Sequence, residues 1–93
     1  MAMTTEDRKD NASPVTRAPD GSFTVDATYI APKLGLEPDR FMALLRDGRV
    51  FQATERGTGS DAGTWRLTFT WASHRWQIVV DDIGQLLTEG PLS

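Results

Sequence analysis

From residue 64 to residue 80 the chain alternates apolar and polar side chains with a period of two, and few folds satisfy that pattern. In TWRLTFTW the residues Trp65, Leu67, Phe69 and Trp71 fall on one side of an extended backbone and Thr64, Arg66, Thr68 and Thr70 on the other, because successive side chains of a strand point to opposite faces. In RWQIVVDD the apolar set Trp76, Ile78 and Val80 alternates with Arg75, Gln77 and Val79. A turn over 72–74 joins the two as an antiparallel hairpin with one buried face, and something else in the chain must cover that face.

The segments on either side supply the rest. Residues 50–55 read as the strand that precedes the long loop, and Asp82-Ile83-Gly84 as a tight turn leading into a last short strand over 85–88. Further upstream the period lengthens to that of a helix. Asp26 is an N-cap for Ala27, Ile30, Ala31 and Leu34, which recur at i, i+3, i+4 and i+7, and Gly35 stops that helix. Pro32 removes a backbone donor inside it, so a kink or a late start is expected. Pro38 opens a second helix, Asp39 suits its N-terminal dipole and Gly48 ends it; Phe41, Leu44 and Leu45 form its buried stripe, with Arg40 and Asp47 in water. The expected fold class is α+β, with two short helices packed on one face of a three- to four-stranded antiparallel β-meander.

Residues 1–21 are polar, contain Pro14 and Pro19 and show neither period, so they are expected to be a disordered tail. Pro19-Asp20-Gly21 is turn chemistry at the entry to a single domain over 22–90, with a short strand at 22–25 that sets Phe23 and Val25 on one face. A chain of 93 residues is too short for a second folded unit. It has no cysteine and one histidine, which excludes disulfides and the usual structural zinc sites, and no metal or cofactor is expected. Neither a run of about 20 apolar residues nor a signal peptide is present, so no membrane span and a cytoplasmic location are expected. The net charge of −3 argues against nucleic acid as a partner, since that affinity comes largely from neutralising phosphates. The arginines Arg40, Arg46, Arg49, Arg56, Arg66 and Arg75 nonetheless make the middle of the chain basic, while Asp26, Glu37, Asp39, Asp81, Asp82 and Glu89 make its flanks acidic.

The most unusual segment is Gly57-Thr58-Gly59-Ser60-Asp61-Ala62-Gly63, entered through Glu55 and Arg56. Glycines at 57, 59 and 63 expose backbone amides, and with Arg56 alongside such a loop can cradle a phosphate or carboxylate. It is not a dinucleotide fingerprint, because three residues separate its last glycines and a strand follows. A flexible connection in a hairpin explains the same glycines without a ligand. Glu55 and Asp61 are too few oxygen ligands for calcium. His74, the only imidazole, sits in a turn with no recognisable nucleophile pattern, and the neighbouring Asp81 and Asp82 read as turn formers. Trp65, Trp71 and Trp76 read as core, with exposure at the strand ends as the alternative.

Two resemblances follow. Residues 30–50, IAPKLGLEPDRFMALLRDGRV, place two short helices around Leu-Gly-Leu and run into a strand, which resembles the helix-turn-helix and wing of MerR-type or excisionase-type DNA-binding domains. That resemblance implies a recognition helix over 38–47. Over residues 23–87 the chain resembles a small family of uncharacterised bacterial proteins, a domain of unknown function. The resemblance is carried by Phe23, Val25-Asp26, Leu34-Gly35-Leu36, Leu44-Leu45-Arg46, Gly48, Glu55-Arg56-Gly57, Gly59, Asp61-Ala62-Gly63, Arg66-Leu67-Thr68-Phe69 and Val80-Asp81. Thr54 in place of a cysteine and the presence of Pro32 depart from its pattern. It implies one shared domain and no particular activity.

The functional expectation is a non-enzymatic binding or accessory domain. It would engage a protein partner or a small anionic ligand through Glu55, Arg56, Gly57, Gly59, Asp61 and Gly63, together with the face bearing Arg66 and Arg75. A homodimer through the unpaired edge of the sheet is a further expectation. The alternatives are a winged-helix DNA-binding regulator and a small hydrolase using His74 with Glu55 or Asp61.

Overall fold

The computed structural model describes residues 13–92. Strands β1 (Val15–Arg17) and β2 (Phe23–Val25) form a two-stranded antiparallel sheet, followed by helices α1 (Ala27–Lys33) and α2 (Pro38–Arg46). Strands β3 (Val50–Arg56), β4 (Thr64–Trp71), β5 (His74–Asp81) and β6 (Leu86–Pro91) then pair in the order β3-β4-β5-β6, each antiparallel to its neighbour. This is the expected α+β meander with its fourth strand present and a second, smaller sheet added.

Local chemistry accounts for the boundaries. The Asp26 carboxylate accepts from the Thr28 amide at 3.1 Å and starts α1 at Ala27, so the helix does not begin late. Pro32 is accommodated because α1 ends one residue after it. Its missing donor and its steric cost therefore fall on the final turn. Pro38 at the first position and Arg46 in the last turn bound α2 as expected.

The tail boundary needs correction. The sequence places residues up to 21 outside the fold, whereas Val15–Arg17 pairs with β2 in the register Val15↔Val25 and Arg17↔Phe23, and Val15 is buried. A three-residue strand flanked by prolines is too short to show a period, which is why pattern alone passes over it. The part of the tail over 1–12 lies outside the described residues.

One face of the meander is closed. Val50, Leu67, Phe69, Ile78 and Val80 on the sheet pack against Phe23, Val25, Ile30, Ala31, Leu34, Phe41 and Leu44 from the layer above. The rings of Phe41 on α2 and Phe69 on β4 meet at 6.1 Å between centroids with a 53° tilt, a geometry aromatic pairs favour. Register carries this face across the sheet, because Trp65 pairs with Val80, Leu67 with Ile78 and Phe69 with Trp76. The opposite face carries Thr64, Arg66, Thr68, Thr70, Arg75, Gln77 and Val79 and, among the described residues, has no layer over it. Among the described residues no helix is long and apolar enough to cross a membrane.

Candidate functional site

The uncovered face is polar by alternation, and the glycine-containing loop between β3 and β4 gives it shape. The loop is packed. The Gly57 amide donates to the Thr64 carbonyl at 2.9 Å, and a 3-10 turn over Gly59–Asp61 brings the Asp61 carbonyl to within 2.6 Å of the Thr64 hydroxyl, which donates to it. Gly59 and Gly63 adopt φ of 60° and 90°, conformations that a Cβ disfavours. Gly57 is required for space, since a Cβ there would lie 2.2 Å from the Asp61 carbonyl oxygen.

This folded loop bounds a polar cleft of about 300 Å³ on the uncovered face. Arg56, Gly57, Thr58 and Asp61 line it from the loop side. Thr64 and Arg66 line it from β4, Gln77 and Val79 from β5 and Thr88 from β6. Arg66 carries an ion pair to Glu55 at 3.3 Å, with both side chains more than half exposed. The cleft therefore holds hydroxyl, amide and guanidinium groups, with the Val79 side chain among them.

The residues singled out by sequence divide accordingly. Arg56, Gly57, Asp61 and Arg66 come together in the cleft, Glu55 borders it through Arg66, and Gly59 and Gly63 set the loop's path without lining it. Arg75 stands apart. It shares the face but pairs with Thr70, four residues along β4 from Arg66, or about 13 Å at the usual rise per residue. The Arg56 guanidinium lies 5.3 Å from the Trp65 ring, a cation–π contact on the side of the sheet that register assigns to Trp65. Thr58, Thr64, Gln77, Val79 and Thr88 were not anticipated. For Gln77 and Val79 the signal was present in the alternation of β5, but only the register places them opposite Thr68 and Arg66.

His74 opens β5 opposite Trp71 and is exposed. Glu55 pairs with Arg66, five residues further along β4, about 17 Å away, so the two do not form a catalytic pair. The Asp81 carboxylate accepts from the amides of Ile83 and Gln85 at 3.1 and 2.9 Å, as a turn former does. Arg40 and Arg46 lie on the exposed side of α2 together with Asp39, and Asp47 follows at the C-cap. Among the described residues no three of His, Asp and Glu gather as metal ligands.

Two further clusters escaped the sequence reading, and both seal the rim of the core. At one end the Arg17 guanidinium lies 5.0 Å from the Phe23 ring and 4.9 Å from the Trp65 ring, and donates to the Asp82 carbonyl at 2.7 Å. The Trp65 indole donates to the Asp82 carboxylate at 2.8 Å. At the other end Glu89 accepts from the Tyr29 hydroxyl and, at 2.9 Å, from the Trp76 indole, while the Lys33 ammonium lies over both rings. Burial, then the hydrogen bond and negative charge of Glu89, push the Tyr29 hydroxyl up to about 12.

Fold and cleft together define a small α+β domain whose antiparallel meander is covered on one face and carries a loop-bounded polar cleft on the other. The chain belongs to the family of unknown function DUF6522, which it matches over residues 10–92. No curated protein and no solved structure matches it.

Proposed function

We propose that this chain is a non-enzymatic binding domain whose cleft beneath the 57–63 loop takes a small anionic ligand. The observation that carries the reading is the state of Arg66. Its only ion-pair partner among the described residues is the exposed Glu55, at 3.3 Å. An exposed pair of this kind contributes about 0–1 kcal/mol, so an incoming carboxylate or phosphate can take the guanidinium at little cost. The hydroxyls of Thr58 and Thr88 and the Gln77 amide supply further hydrogen bonds on the same walls. A volume of about 300 Å³ is at the small end of ligand sites. Asp61 on the rim favours a compact anion that also carries hydroxyl or amine donors over a polyanion. The distance between His74 and Glu55 supports a binding role over a hydrolytic one. The winged-helix alternative draws no support from α2, where Arg40 and Arg46 are balanced by Asp39 and Asp47.

The test is an NMR titration with small phosphorylated and carboxylated metabolites, reading the amides of residues 57–63, Arg66 and Thr88. Hydrogen bonds to charged groups contribute about 1.5–3 kcal/mol, so Arg66→Ala is expected to weaken binding by about tenfold or more. Glu55→Gln, which removes the competing carboxylate, is expected to tighten it. If no anion moves these amides, or Arg66→Ala binds as the wild type does, the reading is wrong.

A further inference from the structure

We propose that β3 is a dimerisation edge: it pairs antiparallel with β3 of a second copy about a two-fold axis at Ala53, joining two meanders into one continuous eight-stranded sheet. Strand β3 lies at the end of the sheet, and every residue of it except Val50 is exposed. Natural edges are guarded by lysine, proline or a bulge. The opposite edge has such guards, since the β5–β6 register is bulged at Val79/Val80 and β6 ends in Pro91. β3 has no lysine, proline or bulge and carries charge only at its end, on Glu55 and Arg56; it pairs regularly with β4 along its whole length and leaves Phe51 64% exposed.

The pairing register follows from the ladder already present. The Gly57 amide bonds to the Thr64 carbonyl, so hydrogen-bonded pairs with β4 recur at Glu55, Ala53 and Phe51. The backbone groups of Val50, Gln52, Thr54 and Arg56 therefore point outwards. An axis at Ala53 sets Gln52 against Thr54 and Val50 against Arg56 of the second copy, which matches free donors to free acceptors over all seven residues. On the uncovered face Phe51 then stands opposite Glu55 of the second copy and leans diagonally over its Ala53, where a small side chain leaves room for the ring. Arg49, which has no ion-pair partner among the described residues, comes diagonally opposite Glu55 of the second copy. The contact is complementary in shape and in charge, twice over.

Cysteine scanning tests this directly, because the chain has no native cysteine. Across the axis the Ala53 pair is a non-hydrogen-bonded one, with Cα atoms about 4.5 Å apart, within disulfide range. Ala53→Cys is expected to give a covalent dimer on mild oxidation, whereas Phe51→Cys, whose two copies stand four residues apart along the strands, is not. Light scattering and sedimentation of the uncrosslinked protein are expected to show a dimer. Thr54→Pro removes only an outward-facing amide and is expected to raise the dissociation constant by about a hundredfold or more while the monomer stays folded by circular dichroism. A wild-type chain that sediments as a monomer at every accessible concentration overturns the proposal. So does crosslinking at position 51 in preference to 53, or a Thr54→Pro variant that remains a folded dimer.

Discussion

Replacing Gly57 by alanine probes whether the 57–63 loop is a built wall or a loose connector. An alanine Cβ would lie 2.2 Å from the Asp61 carbonyl oxygen and 2.6 Å from the Thr64 hydroxyl, whereas non-bonded carbon–oxygen contacts settle at about 3.3–3.6 Å. The 59–61 turn must therefore withdraw by about 1 Å, since the Thr64 hydroxyl can rotate but the Asp61 carbonyl is backbone and cannot turn away as a flexible side chain would. Crowding of this kind costs about 1–3 kcal/mol, and loss of the hydrogen bond from the Thr64 hydroxyl to Asp61 adds about 1 kcal/mol. Reduced freedom of the unfolded chain offsets about 0.4–1 kcal/mol, leaving a net loss of about 2 kcal/mol. In a domain of this size each kcal/mol lowers Tm by about 4–8 °C, so a fall of about 10 °C is expected in a thermal melt followed by circular dichroism. Gly59→Ala is the control, because its Cβ meets nothing within 4 Å and only the φ of 60° opposes it. That left-handed conformation costs about 1–2 kcal/mol. A Gly57→Ala protein that melts within about 2 °C of the wild type would refute the packed loop, and so would greater damage from Gly59→Ala.

The remaining predictions concern the two rim clusters. Tyr29 is the only tyrosine, so its ionisation can be followed alone in the ultraviolet, with a midpoint expected at about 12. Because the folded protein holds this hydroxyl protonated above its ordinary 10.0, the associated stability is complete below pH 10 and is lost as pH rises towards 12. Urea midpoints of the wild type should therefore fall more steeply over that window than those of Tyr29→Phe, and parallel curves would contradict the Glu89 contact. Arg17→Ala removes a hydrogen bond to Asp82 and two aromatic contacts, and is expected to cost about 1–2 kcal/mol. Hydrogen exchange should quicken first at β1 and the 82–84 turn, with β4 and β5 unaffected.

How much of this was legible in the sequence depends on the range of the interaction. The hairpin of β4 and β5 and the end of α2 could be read because alternation, proline and glycine act within a few residues. Strand β1 could not, since Val15 is recognisable as core only once the chain has returned over it and Gly84 has come so close that a Cβ there would lie 3.3 Å from the Val15 carbonyl oxygen. The site shows the same division. The loop stood out through its glycines, and Arg66 through its alternation with Leu67, but Thr88 joins the cleft through pairing of strands that no local pattern registers. Arg75 illustrates the opposite error: same face and same charge as Arg66, yet too far along the hairpin to share its cleft.

The rim clusters also bear on why so small a chain can leave one sheet face bare. A domain of this size buries only about 60% of its unfolded surface, and this one has no disulfide to compensate. Its half-buried aromatics are used twice. The inner parts of Trp65 and Trp76 extend the core, while their indole N–H groups are satisfied by Asp82 and Glu89 and their rings are covered by Arg17, Arg56 and Lys33. The long cationic side chains close apolar edges that would otherwise meet water. With the covered face sealed in this way, Arg66, Gln77 and Thr88 carry no packing duty. Substitutions confined to these positions should then alter binding in the cleft while leaving the melting temperature near that of the wild type, and a cleft that served only stability would show the reverse.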